Sequence, residues 1–373
     1  MQKPLKFTPL AKDEFIVVLR KRVKQYFTDT NQSTHANTAM VLRTLLFASF
    51  WLGSYSLLLF AGFSTPINYA ISALYGVSIA LVCVNVGHDA IHGAYSKSKF
   101  VNGLLSMTFN LNGASAYMWA KMHNVAHHSY TNIHGYDEDI SPIPIIRLSP
   151  ESELKPIHKH QHWYAPLFYC LATLSWVFLK DYIKFFQNTV GNYGDQKHPT
   201  KEYFYLFLYK AIYYAIFIVT PFLVIDQPWY HTVGCILTFH AFAGFYLAIV
   251  FMLAHAVESI QFPLPTENGS IENSWAIHQL ETTSNFVSRS LLGSALSGGL
   301  NTQVEHHLFP NICHIHYRHL AKIIQETAEE YGVAYLDYPS FSSAVRSHLR
   351  FMHKMGHEKT YTPINPAELK KAA

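Results

Sequence analysis

Metal-binding side chains are concentrated in one stretch, Gly299-Leu300-Asn301-Thr302-Gln303-Val304-Glu305-His306-His307-Leu308-Phe309-Pro310. On a helix, Gln303 and His307 lie one turn apart and His306 lies beside them. Neutral imidazole is the commonest metal ligand among protein side chains. We therefore expect three side chains with lone pairs to converge here on one point of a metal site.

Two earlier stretches carry histidines at similar spacing, His88-Asp89-Ala90-Ile91-His92 and His123-Asn124-Val125-Ala126-His127-His128. In each, two histidines four residues apart are predicted to share one face of a helix. One such pair is a weak indication, because a lone histidine on an apolar face is more often a hydrogen-bonded core residue. Three stretches together supply seven imidazoles, more than one ion binds, so we predict two metals.

Composition indicates a membrane protein. Half of the 373 residues are hydrophobic and only 14% are charged, against roughly 25% charged residues in a typical soluble domain. The net charge of +4 is too small to indicate nucleic-acid binding. The four cysteines lie in or beside apolar runs, so we expect thiols that act as small hydrophobic side chains, not disulfides or a zinc site.

Four runs are apolar over about the 20 residues that a bilayer requires. We predict spans at about 44–63, 67–87, 203–225 and 231–254, arranged as two helical hairpins. The loops at 64–66 and 226–228 contain no Lys or Arg, whereas the preceding arm is rich in both. By the positive-inside rule, all three histidine stretches then lie on the cytoplasmic face.

The other segments are predicted to be cytoplasmic or interfacial. The arm 1–40 contains an amphipathic helix at 13–27 and no signal peptide, and 164–186 is an interfacial helix. In the third span, Lys210 is expected to extend its ammonium group to the interface. We predict an all-α integral membrane protein, with the site in a helical cap on a domain from 41 to 319.

The C-terminal part, 320–373, is expected to be a cytoplasmic helix and tail. The amphipathic helix runs from about 316 to 331, and a polar tail follows it. His314, His316 and His319 are expected to belong to this helix and not to a metal site.

The ligand chemistry favours iron. No thiolate belongs to the set, which disfavours structural zinc or an iron–sulfur cluster. Imidazole suits iron, copper, zinc and nickel, and a nitrogen-rich pair of ions beside a membrane suits redox iron with open positions for dioxygen. Such a centre can remove hydrogen from an unactivated C–H bond, while the protein sets ligand geometry and substrate position.

The motifs H-D-A-I-H, H-N-V-A-H-H and Q-V-E-H-H together resemble the three histidine boxes of the membrane fatty acid desaturases. The glutamine that opens the third box resembles the front-end branch and its acyl-lipid and sphingolipid relatives. The resemblance covers about residues 44–319. It implies four spans, a cytoplasmic di-iron site and an oxygen-dependent reaction that introduces a double bond into a long acyl chain on CoA or in a lipid.

The resemblance also implies individual site residues. Its metal ligands correspond to His88, His92, His123, His127, His128, His306 and His307. His255, at the end of the fourth span, resembles an additional family ligand, and His278 is a weaker candidate. Gln303 holds a position where other branches use histidine, as a weak ligand or an outer partner. Residues implied to line the substrate tunnel are Trp275, Gln279 and Asn285.

Acidic and amide side chains near the boxes are expected to orient imidazole N–H groups. They are Asp89, Asn124, Glu305 and the turn Asp137-Glu138-Asp139. For the turn, a solvated loop is an equal alternative.

Two features differ from many desaturases. The second box has three residues between His123 and His127, as alkane hydroxylases do, whereas many desaturases have two. A lipid or hydrocarbon hydroxylase therefore stays an alternative. The H-P-G-G motif of a fused cytochrome domain does not occur, so a separate ferredoxin or small b-type cytochrome, with its reductase, is expected to supply electrons. A basic surface of Lys97, Lys99, Lys121 and Arg147 would dock this donor or a CoA phosphate, or reflects only the positive-inside bias.

A metal transporter or sensor is the alternative from another class. It would need a polar path across the bilayer, whereas the predicted spans are nearly free of charge. The motifs G-x-S-x-G and H-E-x-x-H do not occur, which disfavours hydrolases. The sequence leaves open the chain length, the double-bond position, the acyl carrier and the oligomeric state.

Overall fold

The computed structural model describes residues 5–8, 14–140, 143–189 and 197–365. Parts of the predicted arm and tail, residues 1–4, 9–13 and 366–373, lie outside the described residues. Within these residues, four helices are long and apolar enough to cross a membrane: Thr38–Phe60, Thr65–Ile91, Thr200–Val224 and Trp229–His255. The predicted four-span, all-α fold is confirmed, and we call these helices the first to fourth spans.

The first span begins six residues before the predicted boundary. The side chain of Asn37 accepts a hydrogen bond from the N–H of Met40 and so caps the helix at Thr38. Arg43 was expected to lie outside the span because it is charged. It is tolerated within the helix because its guanidinium group lies 3.2 Å from Nε2 of His314.

The second span is the centre of the bundle. In the most apolar stretch of this span, 72% of the residues are buried within the protein, against 22% in the corresponding stretches of the first and third spans. Gly76 lets it approach the fourth span closely, because a Cβ there would lie 2.3 Å from the Phe239 carbonyl oxygen. The second span, which carries His88 in its last turn, and the fourth, which ends at His255, are thus packed against each other.

Shorter helices form the rest of the structure. They are Glu14–Asp29, Lys99–Leu111, a helical segment at 116–130, Gln161–Tyr169, Ala172–Ser175, Asp181–Phe186, Trp275–Thr282, Leu291–Ser297, Gln303–Leu308, Tyr317–Glu330 and Phe341–His357. Two pairs of short parallel strands tie distant segments together, Lys6–Phe7 with Ser270–Ile271 and Asn285–Phe286 with Asp337–Tyr338.

The predicted interfacial helix at 164–186 is interrupted. Its first part ends at Tyr169, and helical structure resumes at Ala172. The interruption lies against Gly244 of the fourth span, where a Cβ would lie 2.8 Å from the Tyr169 carbonyl oxygen. The break therefore allows this segment to pack closely on the bundle.

Two amphipathic helices pack over the third histidine stretch. Leu19 of Glu14–Asp29 and Ile324 of Tyr317–Glu330 are fully buried in one cluster with Val304 and Leu308. Full burial of such side chains is worth about 1.5–3 kcal/mol each. The helix Gln303–Leu308 is thereby held from outside as well as from the bundle.

The helix Phe341–His357 corrects the prediction of a polar tail. Ser340 caps its first turn, and Ala344, Phe351 and Met355 form a buried stripe. The spacing of this stripe is helical, but charged residues between its members conceal it in the sequence. The helix packs against Gln161–Tyr169 through a cluster that includes Ala165 and Tyr169.

Candidate metal centre

The histidine boxes meet in two groups. Within each group, one ring nitrogen per residue lies within 4.8 Å of the others. The first group contains His88, His92, His123 and His306, and the second contains His127, His255 and His307. All of these rings are buried except that of His92, which is half-buried.

His128 lies between the two groups. Its Nε2 is 2.9 Å from Nε2 of His306 and 3.1 Å from Nε2 of His123. Its ring also stacks on that of His307, with the centroids 4.3 Å apart. The eight histidines therefore form one continuous cluster with two centres.

The third box supplies one histidine to each group. His306 points into the first group and His307 into the second, with their rings 89° apart. The expectation of one convergence point was wrong, because adjacent side chains on a helix diverge by about 100°. The box instead joins the two halves of the site.

A π-helical segment arranges the second box. In Lys121–His127, the N–H of His128 donates to the carbonyl of His123, five residues earlier. His123 and His128 therefore share a face, whereas His127 turns toward the second group. The prediction of a shared face for His123 and His127 did not anticipate this, since nothing in the sequence marks a π-turn.

The lone pairs of this cluster fit bound metal. Buried ring nitrogens without a hydrogen-bond partner occur at His88, His92, His127, His128, His255 and His307. Both amide atoms of Gln303 are also buried and without a partner. Each such group costs about 1–3 kcal/mol if nothing satisfies it, so cations that accept these lone pairs would stabilise the cluster.

Burial also keeps the rings in the form that binds metal. It lowers the pKa well below the ordinary histidine value at His92, His123, His128, His306 and His307. Metal ligation requires neutral imidazole, so these rings are ready to bind at neutral pH.

Outer partners fix the second group. The Nδ1–H of His127 donates to Oδ2 of Asp137 over 3.0 Å, and Oδ2 also accepts the N–H of Asn132. The Nδ1–H of His307 donates to Oε1 of Gln279 over 2.8 Å. In both rings Nε2 is left for a metal, and the carboxylate or amide fixes the ring orientation.

The acidic turn is divided in its roles. Asp137 is the partner of His127, as predicted for an acidic residue of this turn. Glu138 pairs with Lys184 at 2.9 Å and Asp139 with Lys180 at 3.5 Å. The turn is therefore tied to the segment that precedes the third span.

Asp89 belongs to a hydrogen-bond network that lies beside the first group. Its Oδ2 accepts hydrogen bonds from Nδ1 of His314 at 2.9 Å and from Sγ of Cys313 at 3.0 Å, while Oδ1 lies 3.9 Å from Nδ1 of His88. The remaining nitrogen of His314 faces Arg43. Asp89, Cys313 and His314 could be mistaken for a metal group, but their polar atoms already satisfy one another.

Other expected partners lie elsewhere. Glu305 accepts from Asn285 and from Tyr335, each at 2.8 Å, and burial raises its pKa to about 7. Asn124 donates to the Ile91 carbonyl. These two side chains brace the backbone around the boxes instead of contacting an imidazole nitrogen.

The three residues implied to line the substrate tunnel each form a hydrogen bond to a residue of the second or third histidine box. Gln279 contacts His307, Trp275 donates to the His128 carbonyl, and Asn285 accepts from the N–H of Val304. Gln279 and Asn285 are fully buried. Their tunnel role stays a prediction, and the contacts assign them a supporting one.

The remaining histidines lie outside both groups. His278 packs against Phe7 with ring centroids 5.1 Å apart. His316 faces the His35 carbonyl, and His319 stacks on Tyr26. His314 and His316 lie in a short 3₁₀ turn just before the helix Tyr317–Glu330, and His319 lies within it.

A buried ion pair supports the second box from the bundle. Nζ of Lys210 donates to Oδ2 of Asp181 at 2.9 Å and to the carbonyls of Gly113 at 2.6 Å and Val177 at 2.7 Å. The expectation that Lys210 extends to the interface was wrong, because these three acceptors satisfy its three donors inside the protein. Its residue exposure is only 3%.

The same pair reaches the helical segment of the second box. Oδ2 of Asp181 also accepts the N–H of Ser115 at 2.7 Å. The hydroxyl of Ser115 caps that segment by accepting from the N–H of Met118. Lys210, Asp181 and Ser115, which we call the lysine clamp, thus position the start of the segment that carries His123, His127 and His128.

The predicted basic surface is smaller than expected. Lys97 and Lys99 are exposed and Lys121 is half-buried, but Arg147 is 2% exposed. Its Nη1 donates to the carbonyls of Met355 and Glu358, at 2.7 and 2.9 Å. Arg147 therefore caps the carbonyl groups at the C-terminal end of the helix Phe341–His357, and its buried charge is not available to a docking partner.

Comparison with known proteins identifies the family. The family described as "Fatty acid desaturase" matches residues 64–339. The chain is 35% identical to a sn-1 linoleoyl-lipid 6-desaturase of Synechocystis, over 94% of this chain and 98% of that protein. It is 32% identical to an acyl-lipid (8-3)-desaturase of Physcomitrium patens, over 94% of this chain and 74% of that protein.

A third relative shows a similar degree of identity. A sn-1 linoleoyl-lipid 6-desaturase of Arthrospira platensis is 33% identical over 90% of this chain and 91% of that protein. The resemblance drawn from the three histidine boxes is confirmed. The chain belongs to the fatty acid desaturase family, the oxidoreductases that introduce double bonds into acyl chains.

Proposed function

We propose that this chain is a front-end acyl-lipid desaturase with iron at both histidine groups. One observation carries the metal assignment: eight histidines cluster beside the ends of two apolar spans, and six of them have buried ring nitrogens without a hydrogen-bond partner. The ligand set is His88, His92, His123 and His306 for one ion and His127, His255 and His307 for the other. We place His128 between them and Gln303 beside them.

Bound iron would supply the oxidising chemistry that removes two hydrogen atoms from adjacent acyl carbons. Dioxygen would take up these two hydrogen atoms together with two electrons and two protons from an external donor, and would leave as two water molecules. The protein does the rest. Asp137 and Gln279 hold the rings of His127 and His307 in orientation, and Trp119 stacks on His123 with centroids 4.1 Å apart. Burial of the cluster excludes bulk water from the reacting carbons.

The proposed substrate is a polyunsaturated acyl chain esterified in a membrane glycerolipid. The names of the relatives support this class, because two act on linoleoyl groups in lipids and another is an acyl-lipid desaturase. A lipid-linked chain can enter from the bilayer, in which this protein is embedded. The new double bond is placed between the existing ones and the carboxyl end, as the front-end assignment requires.

The proposed active-site face is cytoplasmic. Both hairpin loops lack Lys and Arg, and the exposed Lys97 and Lys99 follow the second span on the side of the histidines. A separate ferredoxin or small cytochrome with an acidic surface would dock near these lysines. Labelling single cysteines at positions 97 and 226 from either side of sealed vesicles tests the orientation: label reaching 226 from the cytoplasmic side would contradict it.

The substrate test uses a host that makes no polyunsaturated lipid and is fed linoleate. We expect a new double bond in glycerolipid-bound chains, located by mass spectrometry, before it appears in acyl-CoA. A product that appears first in acyl-CoA would contradict the lipid-linked substrate. A product that gains oxygen without a double bond would contradict desaturation and favour the hydroxylase.

A further inference from the structure

A second set of histidines lies on the surface of the cap, outside both groups of the metal centre. It comes from two stretches far apart in sequence, His158-Lys159-His160-Gln161-His162 and His353-Lys354-Met355-Gly356-His357. His353 and His357 lie four residues apart in the last turn of the helix Phe341–His357. A pair at this spacing shares one helix face, and His162 is brought to it by the fold.

The backbone around these histidines is held by specific contacts. A Cβ at Gly356 would lie 2.1 Å from the His158 carbonyl oxygen, so only glycine permits the helix to approach the turn this closely. The amide of Gln161 donates to the Met352 carbonyl at 2.8 Å and accepts the N–H of Arg147 at 2.8 Å. The two stretches are therefore held in fixed register.

The rings meet in pairs. The centroids of His353 and His357 are 4.0 Å apart, and that of His162 is 4.8 Å from His353 and 6.4 Å from His357. His353 and His357 are exposed and His162 is half-buried, so the rings are free to adjust around an ion. An imidazole set of this kind suits zinc, copper or nickel.

Two nitrogens indicate a ligand more directly. The Nδ1–H of His357 donates to the His353 carbonyl at 2.9 Å, which fixes its tautomer and leaves Nε2 for a metal. Nδ1 of His162 is buried and has no hydrogen-bond partner. His158 differs, because its nitrogens contact the Lys155 N–H and the Pro144 carbonyl. Lys354 forms an ion pair with Glu258 at 3.1 Å, so its charge is compensated and does not repel a cation at this site.

We propose that His162, His353 and His357 bind a divalent transition-metal ion that fastens the helix Phe341–His357 to the helix Gln161–Tyr169. The exposed His160, two residues before His162, is close enough in sequence to complete the coordination. The site is independent of the desaturase assignment, since it shares no residue with the two histidine groups.

The test is zinc binding to the purified, iron-loaded protein in detergent, with competition against a chromophoric chelator. We expect one zinc per chain beyond the iron, with iron content unchanged. His353→Asn and His162→Asn should each weaken zinc binding by at least about 100-fold, because even an outer partner of a ligand is worth about 10- to 100-fold. His319→Asn, at an exposed histidine on the neighbouring amphipathic helix, should leave it unchanged.

A second readout follows the ligands themselves. Cu²⁺ at the site should show nitrogen hyperfine splitting in its electron paramagnetic resonance spectrum, and His357→Asn should reduce it. The proposal is overturned if no zinc binds beyond the iron, or if both His353→Asn and His162→Asn keep full affinity. Loss in His353→Asn but not in His162→Asn would also overturn it, because the ion would then not join the two helices.

Discussion

Among the buried polar clusters in the described part of this apolar protein, the lysine clamp and the histidine cluster are satisfied in opposite ways. In the lysine clamp, all three ammonium donors of Lys210 and both oxygens of Asp181 have protein partners. In the histidine cluster, buried lone pairs at six histidines have none. The difference separates structure from function: a cluster that satisfies itself holds the fold, and one that does not is built for a bound ion.

The fourth span contains the same contrast within one helix. His240 and His255 are both buried, at 3% and 2% exposure. His240 contacts the hydroxyls of Thr173 and Tyr213, at 3.1 and 2.9 Å, whereas both nitrogens of His255 lack partners. Burial alone is therefore a poor sign of a metal ligand, and these two residues form a matched pair for experiment.

The largest expected effect follows from removing a ligand of the first group. His306→Ala should abolish desaturation, since His306 faces His88 and His123 and contacts His128. Lipid analysis of an expressing host measures the product, and metal analysis of the purified protein should show a parallel loss of iron. Full product from this variant would remove His306 from the ligand set.

Breaking the lysine clamp should cost stability. Lys210→Met leaves the Asp181 carboxylate buried without its cation, which typically destabilises by about 3–5 kcal/mol. The thermal midpoint in detergent should fall clearly. Combining it with Asp181→Leu should recover much of the loss, because the uncompensated charge is then gone. A single variant as stable as the parent would show that the pair does not hold the fold.

An outer partner should have an intermediate effect. Asp137→Asn keeps the shape of the side chain but removes the charge that Nδ1 of His127 contacts at 3.0 Å. We expect iron affinity to fall about 10- to 100-fold, as measured by competition with a chelator. Asp139→Asn, whose carboxylate lies 3.9 Å from the same nitrogen, is the matched control and should change affinity much less.

The smallest effect is expected at the satisfied histidine. His240→Asn loses hydrogen bonds to Thr173 and Tyr213, each worth about 0.5–1.5 kcal/mol. The midpoint should fall modestly while iron content and product stay at the parent level. Loss of iron from this variant would contradict the distinction between satisfied and unsatisfied histidines.

Much of this molecule follows from its sequence, and the failures share a cause. The spans were predictable because a bilayer demands long apolar runs, and the boxes because ligands cluster by type and spacing. The division of His123 and His127 between the two groups was not predictable, since a π-helical turn leaves no signal in the sequence. The locations of Lys210 and Arg147 were wrong because their partners, Asp181 and the end of a distant helix, meet them only in the fold.

The supporting residues were hidden for a similar reason. Gln279 was expected in a substrate tunnel, yet its amide orients His307. The hydroxyl of Thr131 lies 3.2 Å from Nδ1 of His307, and that of Tyr317 lies 3.3 Å from Nδ1 of His306. Neither residue belongs to a motif that would have indicated this contact. The helix Phe341–His357 was missed because charged residues interrupt its apolar stripe.

Iron stoichiometry shows most directly whether the clustered, unsatisfied histidines form two metal sites. We would reconstitute the parent, His255→Asn and His240→Asn with ferrous iron under anaerobic conditions and count the iron bound per chain. We expect two for the parent, two for His240→Asn and at most one for His255→Asn. One iron in the parent, or equal losses in the two variants, would contradict this expectation.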